Sequence, residues 1–409
     1  MNWLIAICSG IGMLFGLHFV IIGIAGAMKK QRFVPTAEPQ KKFAVIVAAR
    51  NEESVIGELV TSLKKQNYPE KLYDIYVFPN NCSDDTAGAA ERAGAKVLFP
   101  DGVIRSKGDV LHFAFKSLLD APEMYDAFVI FDADNIVDKD YLQIANDTLV
   151  SGAHAGQGYR DSKNPHDNWL TGGMSIFFWM MDSLYNRMRS RIGMAAAFNG
   201  TGVMLDREVI RAIETKTYTM TEDLELCALC ALHGYKIEWM EKAVTYDEQP
   251  LGFVDSFRQR RRWFAGSAQC FRRYAFRLFA CAMREKNSAA FDMGVIFCGT
   301  PVQLISLVPA LATITGVISG LICGDIGFGQ LAASLAALGI AAWGAASLFA
   351  WFVCRMEKKL SPGMAKGIAL FPLFLVTWFA ANISVFVAGI PKKWKEIQRG
   401  TKQNQSLEG

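Results

Sequence analysis

At 409 residues with 51% hydrophobic content, the chain is long enough for two or three domains and more apolar than is usual for a wholly soluble protein. Its 43 Lys and Arg against 39 Asp and Glu leave a formal charge of +4, which points to a membrane surface and to no nucleic-acid partner. Nine cysteines stand without paired spacing, which argues against a disulfide framework, and the C-x-x-C of Cys227 and Cys230 lacks the second pair that a four-ligand zinc site needs.

The apolar residues come in blocks. Trp3 to Met28 is uncharged, long enough to span a bilayer, and followed at once by Lys29-Lys30-Gln31-Arg32. Without a small-residue cleavage site it reads as an uncleaved anchor, whose positive flank puts the adjoining domain in the cytoplasm. Phe33 to about Arg284 is mixed like a soluble domain, after which Gly294 to Cys323, Leu331 to Cys354 and Ile368 to Ile390 are again nearly uncharged. The expected organisation is an anchor over 1–30, a cytosolic domain over 31–265, an amphipathic interfacial helix over 266–290, and over 291–409 a membrane bundle of three apolar segments with a basic tail. Such a protein is multi-pass in the cell membrane, its partner the lipid bilayer. The last segment stays open, because Pro372 could make it re-entrant or interfacial, and a full crossing would put Lys392-Lys393-Trp394-Lys395 outside, against the positive-inside rule.

Within the domain, Phe43 to Ala49 reads as a buried strand, turned by Arg50-Asn51-Glu52-Glu53-Ser54 into a helix from about Val55 to Gln66. Leu72 to Phe78 is a second strand, running into the polar loop Pro79-Asn80-Asn81-Cys82-Ser83-Asp84-Asp85-Thr86 and a helix over Ala87 to Ala93. Lys96 to Phe99 is a short third strand, and Arg105-Ser106-Lys107-Gly108-Asp109 leads into a helix over Val110 to Leu119. Ala127 to Phe131 is a fourth, ending in Asp132-Ala133-Asp134-Asn135. Strands alternating with helices predict an α/β fold with a mostly parallel central sheet of nucleotide-binding type. No G-x-G-x-x-G or P-loop is present, so phosphates have to be held by metal and loops.

Two acids one residue apart at a strand's carboxyl end are either hard oxygen ligands for Mg²⁺ or Mn²⁺ or a solvated pair in a loop. Gln157-Gly158-Tyr159-Arg160 is a candidate for shaping a ligand site, and Leu170 to Met194 reads as one long helical segment. A glycine turn at Asn199-Gly200-Thr201-Gly202 precedes a strand at Val203 to Leu205. Thr221-Glu222-Asp223 opens a helix over Leu224 to His233, and on local grounds a plain N-cap with acidic first-turn residues explains it. From Gln259-Arg260-Arg261-Arg262-Trp263 onward, basic and aromatic residues at helical intervals suit a helix lying on anionic lipid.

Taken in order, Ala49-Arg50-Asn51-Glu52-Glu53, Asn80 to Thr86, Lys107-Gly108, Asp132-Ala133-Asp134, Thr221-Glu222-Asp223 and Gln259 to Trp263 resemble the signature set of membrane-embedded family-2 glycosyltransferases, the group of cellulose, chitin, hyaluronan and poly-N-acetylglucosamine synthases. The resemblance implies a GT-A nucleotide-sugar-binding domain flanked by transmembrane helices. It implies Asp223, with Glu222 beside it, as catalytic; Asp132 and Asp134 as ligands of Mg²⁺ or Mn²⁺; Ala49, Arg50, Glu52, Asn80, Lys107 and Asp132 as the nucleotide-sugar pocket; and Gln259, Arg262 and Trp263 as the acceptor and diphosphate motif. The implied reaction is inverting transfer from a UDP-sugar, UDP-GlcNAc or UDP-glucose, to a growing β-linked glycan exported through the membrane, the alternative being single transfer to a glycolipid acceptor. Asn80 departs from the Asp common in the group, and with no regulatory stretch after the apolar segments a compact member is expected.

Overall fold

β1 (Phe43–Ala49) and β4 (Ala127–Asp132) are apolar almost throughout, the pattern of strands covered on both faces. In the computed structural model, which describes residues 2–122, 124–213, 215–324 and 327–390, they lie side by side at the centre of one sheet. Its other strands are β2 (Tyr73–Pro79), β3 (Lys96–Val97), β5 (Ile136–Val137), β6 (Ala155–Ser162), β7 (Val203–Asp206) and β8 (Ile237–Asp247), in the order β3-β2-β1-β4-β7-β6-β8-β5. β3, β2, β1 and β4 pair in parallel, as do β6 and β8; β7 runs against both its neighbours and β5 against β8. This is the GT-A arrangement. Register decides where the chemistry sits: Ala48 pairs with Asp132 and Ala49 with Pro79, so three carboxyl ends share one edge.

Helices α1 (Asn2–Ala27), α2 (Ile56–Lys64), α3 (Thr86–Arg92), α4 (Lys107–Leu119), α5 (Tyr141–Val150), α6 (Trp169–Met180), α7 (Met188–Arg191), α8 (Arg207–Ala212) and α9 (Glu222–Leu232) precede the long α10 (Phe253–Glu285). After it come α11 (Ser288–Phe297), α12 (Gly299–Ile305), α13 (Leu307–Ile322), α14 (Phe328–Met356), α15 (Ala365–Ala369) and α16 (Phe371–Ala388). The segment expected as one helix over Leu170 to Met194 is α6 and α7 joined by a π-helical stretch, Met181–Arg187, whose buried Asp182 accepts a hydrogen bond from the Arg160 amide at 3.0 Å. The expected boundary at 265/266 falls inside α10, a single 33-residue helix. Its far half is no mere surface stripe, because Cys270, Tyr274, Ala275 and Leu278 are buried in the same core as α9. Cys227 and Cys230 are fully buried on α9, a core face as their helical setting suggests.

Trp3–Ala27, Gly299–Ile322, Phe328–Met356 and Phe371–Ala388 are long and apolar enough to cross a membrane. Pro372 does not break the last of these; it stands in the first turn of α16, where its missing N–H costs nothing. α12 and α13 pack on α1 while α14 packs on α16, and α10 touches both groups. The tail Lys392-Lys393-Trp394-Lys395 lies outside the described residues.

Candidate active site

The loops after β1 and β2 are built as one piece. Asn51 and Asn81 both take left-handed backbone, which asparagine tolerates better than most residues. Asn51 Oδ1 then accepts from the Ser83 amide at 2.7 Å, the Glu52 amide donates to Thr86 Oγ1 at 2.9 Å, and Glu53 and Asp84 each accept from the opposite loop at 3.0 Å. Asn80 donates through both its backbone amide and Nδ2 to the Ala49 carbonyl, at 2.9 and 3.0 Å. The polar residues between strand and helix thus fix a rigid wall, with Ala49 behind it.

Asn135 organises the edge beyond β4. It is fully buried; its Oδ1 accepts from the Asp132 amide at 3.2 Å, and its Nδ2 donates to Asp247 Oδ1 at 3.1 Å and Asp134 Oδ1 at 3.3 Å. One amide therefore gathers three acids, and carboxylate oxygens of Asp132, Asp134 and Asp247 lie within 4.8 Å of one another. Hard carboxylate oxygens this close suit Mg²⁺ or Mn²⁺ and repel one another without a cation. Asp247 was missed from the sequence, although it ends β8 as Asp132 ends β4, a strand followed by an acid.

Cations face these acids. Lys107 Nζ, at the start of α4, lies 2.5 Å from Asp132 Oδ1, 3.4 Å from Glu222 Oε1 and 2.8 Å from the Gly200 carbonyl. That carbonyl is presented by the left-handed backbone of Gly200. Arg160 pairs with Asp247 and donates to the Asn199 carbonyl. Burial pushes the Asp132 carboxyl up, but Lys107, Arg160 and Arg262 outweigh it and hold the group below the usual carboxylate range. The reverse happens on α9, where burial and neighbouring Glu222 push Asp223 up to about 7, against partial relief from the Leu224 amide, Lys107 and Arg160.

The third wall is the loop Lys216 to Met220. Gly108 lets it approach, since a Cβ there would meet Thr217 Oγ1 at 2.0 Å. The Tyr218 and Thr219 amides donate to Glu225 Oε2 at 2.7 and 2.8 Å, Tyr274 of α10 donates to Glu225 Oε1 at 2.6 Å, and the Met220 amide donates to Gln269 of α10 at 2.9 Å. Thr221 does not cap α9 as expected; its hydroxyl faces Cys270 at 3.9 Å, and Glu222 turns to Lys107 instead.

Together these walls enclose a cavity of about 580 Å³. Of the residues singled out in the sequence, Arg50, Glu52, Asn80, Lys107, Asp132, Asp134, Arg160, Glu222, Gln259 and Arg262 line it, with Asp247 added. Asp223 sits just behind, its Oδ2 3.7 Å from where a Gly200 Cβ would be. Trp263 is packed among aromatics, 5.9 Å from the Phe178 ring and 6.2 Å from Trp378 of α16.

The cavity, its acids and the sheet order define a GT-A glycosyltransferase scaffold. Residues 39–266 match the family described as "Glycosyltransferase like family 2", and the chain belongs to that family. The mannosyltransferase PcManGT of Pyrobaculum calidifontis, solved with GDP-Man and Mn²⁺, superposes over 93% of this chain and 99% of its own with a TM-score of 0.61 at 17% identity, a shared fold. Among curated proteins, the β-monoglucosyldiacylglycerol synthase of Synechocystis is 25% identical over 56% of this chain and 49% of its own length. The probable glycosyltransferase YdaM of Bacillus subtilis is 25% identical over 63% of this chain and 61% of its own. The chain thus spans about half to three fifths of these relatives.

Proposed function

We propose that the chain is an inverting, metal-dependent glycosyltransferase that moves a hexose from a UDP-sugar, UDP-glucose or UDP-GlcNAc, to a lipid-borne acceptor at the membrane. The observation that carries the reading is the convergence of Asp132, Asp134 and Asp247 opposite Lys107, Arg160 and Arg262 in one cavity. Asp132, Asp134 and Asp247 would hold Mg²⁺ or Mn²⁺, which supplies charge neutralisation to a diphosphate. Arg262 and Lys107 add fixed positive charge where the leaving group gains its negative charge. An acceptor hydroxyl attacks the anomeric carbon opposite the diphosphate, Asp223 takes its proton, the bond from the anomeric carbon to the diphosphate oxygen breaks, and UDP leaves. One displacement inverts the centre, so an α-linked donor gives a β-linked product. A base near pH 7 is well matched to that proton transfer.

The lipid acceptor is favoured by the position of α10, which lines the cavity with Gln259 and Arg262 and packs its other side on the apolar α16. The β-monoglucosyldiacylglycerol synthases among the relatives support the same class. Gln259-x-x-Arg262-Trp263 favours a second reading, processive synthesis of a β-linked polysaccharide. In either case the catalytic domain faces the cytoplasm, as Lys29, Lys30 and Arg32 after α1 suggest.

Purified full-length chain in nanodiscs containing diacylglycerol, supplied with Mn²⁺ and each UDP-sugar in turn, tests both. UDP release with single-sugar lipid adducts supports the lipid acceptor; long labelled product supports the polymerase; absence of Asp223-dependent UDP release with every donor overturns the enzyme assignment.

A further inference from the structure

We propose that α16 does not cross the bilayer but lies in the interface on the catalytic side, one face on α10 and the other in the lipid leaflet. By length and composition it passes as a span. At 18 residues, however, it reaches only about 27 Å against roughly 30 Å of hydrocarbon, and only if upright, with its ends on opposite sides.

Three contacts put its start, middle and end at one level. Near the start, Phe374 packs so closely on Gly173 of α6 that a Cβ there would meet its ring at 2.8 Å. In the middle, Asn382 Nδ2 donates to Gln303 Oε1 at 2.5 Å; Gln303 stands one turn beyond Thr300, whose hydroxyl bonds Ser267 of α10 at 3.1 Å. At the end, Arg261 of α10 donates to the Gly389 carbonyl at 2.6 Å. An upright α16 would carry Asn382 and Gly389 about 16 and 27 Å from Phe371 along the membrane normal. Both instead meet groups tied to α10, whose Gln259 and Arg262 line the cavity and whose run of arginines is far too costly for mid-bilayer.

The preceding turn agrees. Past α14, Glu357 pairs with Arg187 and Lys359 with Asp161, both at 2.5 Å, so the chain enters α16 from the catalytic domain. The helix is also two-faced in the required way: Phe374, Ala381 and Val385 are buried, while Val376, Phe379 and Val387 are exposed and apolar. A lipid leaflet is the partner that such a face fits, since α14, itself long and apolar enough to cross, packs on α16, and α12, which begins another such stretch, packs on α10. The described residues then make three crossings, with the end of α16 on the catalytic side.

The test uses the full-length chain in sealed right-side-out and inverted vesicles, with one epitope appended at the C-terminus, one inserted after Lys71 and one between Gly327 and Phe328. Impermeant antibody should reach the C-terminal and Lys71 epitopes in the same vesicles, and the Gly327 epitope in the opposite ones. A C-terminal epitope exposed together with the Gly327 epitope overturns the proposal. Trypsin on untagged vesicles, with tail loss read by intact mass, asks the same question without insertions: cleavage only from the catalytic face supports it, and cleavage only from the other face overturns it.

Discussion

Arg160 of β6 donates through both Nε and Nη2 to a single carboxylate oxygen of Asp247 at the end of β8, with the two side chains only 7% and 5% exposed. Removing one partner of a buried pair leaves the other charge stranded, at a cost of about 3–5 kcal/mol. Arg160→Gln should therefore lower the unfolding temperature markedly in detergent, and saturating Mn²⁺ should restore part of the loss by giving Asp247 a new counter-charge. A variant that melts with the parent would show that the pair holds nothing.

Asp223→Asn should reduce kcat by on the order of 10²–10⁴ while leaving donor affinity unchanged, because in the proposed reaction the group takes a proton, and it does not line the cavity. Steady-state kinetics beside calorimetric titration with UDP separates the two. Equal losses in both would give Asp223 a binding role.

The position of Asp223, pushed up to about 7 by burial and Glu222, has opposite effects on rate and stability. Single-turnover rate should climb as pH rises through about 7, where Asp223, the proposed base, ionises, and then level off. A folded-state pKa above the unfolded value of about 3.9 means the folded chain binds the extra proton, so this contribution to stability is present below about pH 4 and lost as pH rises through 7. Asp223→Asn should accordingly melt above the parent at pH 8 and level with it near pH 4. No gain at pH 8 would contradict the shift.

Asp247→Asn tests the acid that sequence reading overlooked. Manganese affinity, followed by calorimetry in the presence of UDP, should fall by more than the roughly 10–100-fold typical when a partner behind a metal ligand is removed. Unchanged affinity would leave Asp132 and Asp134 alone as the binding pair.

Trp263 packs against Phe178 and Trp378, a setting in which the ring supports α10 from behind. Trp263→Phe should keep most activity, whereas Trp263→Ala should lose about 3 kcal/mol of stability, the low end for a large aromatic. If Trp263→Phe instead raises the acceptor KM with an unchanged melting curve, the ring touches the acceptor directly.

The long strands that could be read from the chain are those buried by carbon. β1, β2 and β4 are apolar runs, and their ends named Asp132 and the Asn80 loop. β6 escaped because it is buried by charge: Arg160 meets Asp247 on one side while Tyr159 and Asp161 meet Glu357 and Lys359 on the other. Such a strand reads as polar and irregular until its partners, distant in sequence, are brought to it. β8 carries the same difficulty, compounded by a bulge where Gly158 pairs with Met240 and Tyr159 with Val244. Asp247 was overlooked for that reason, since its partners Asn135, Arg160 and Gln249 come to it only in the fold. The helices fared better in existence than in extent, and α10 begins well before its basic stripe.

That continuity of α10 bears on how the enzyme can be dissected. The stretch matched to the family stops at 266, a natural place to truncate for a soluble fragment. Such a cut would sever the helix upstream of Gln269 and Tyr274, which pin the Met220 amide and Glu225 and so hold the loop that walls the cavity. It would also strip the cover from Cys227 and its neighbours on α9, the helix carrying Glu222 and Asp223. The smallest excisable unit consequently runs at least to the end of α10, and a shorter piece would bind its donor, if at all, in a cleft missing one side.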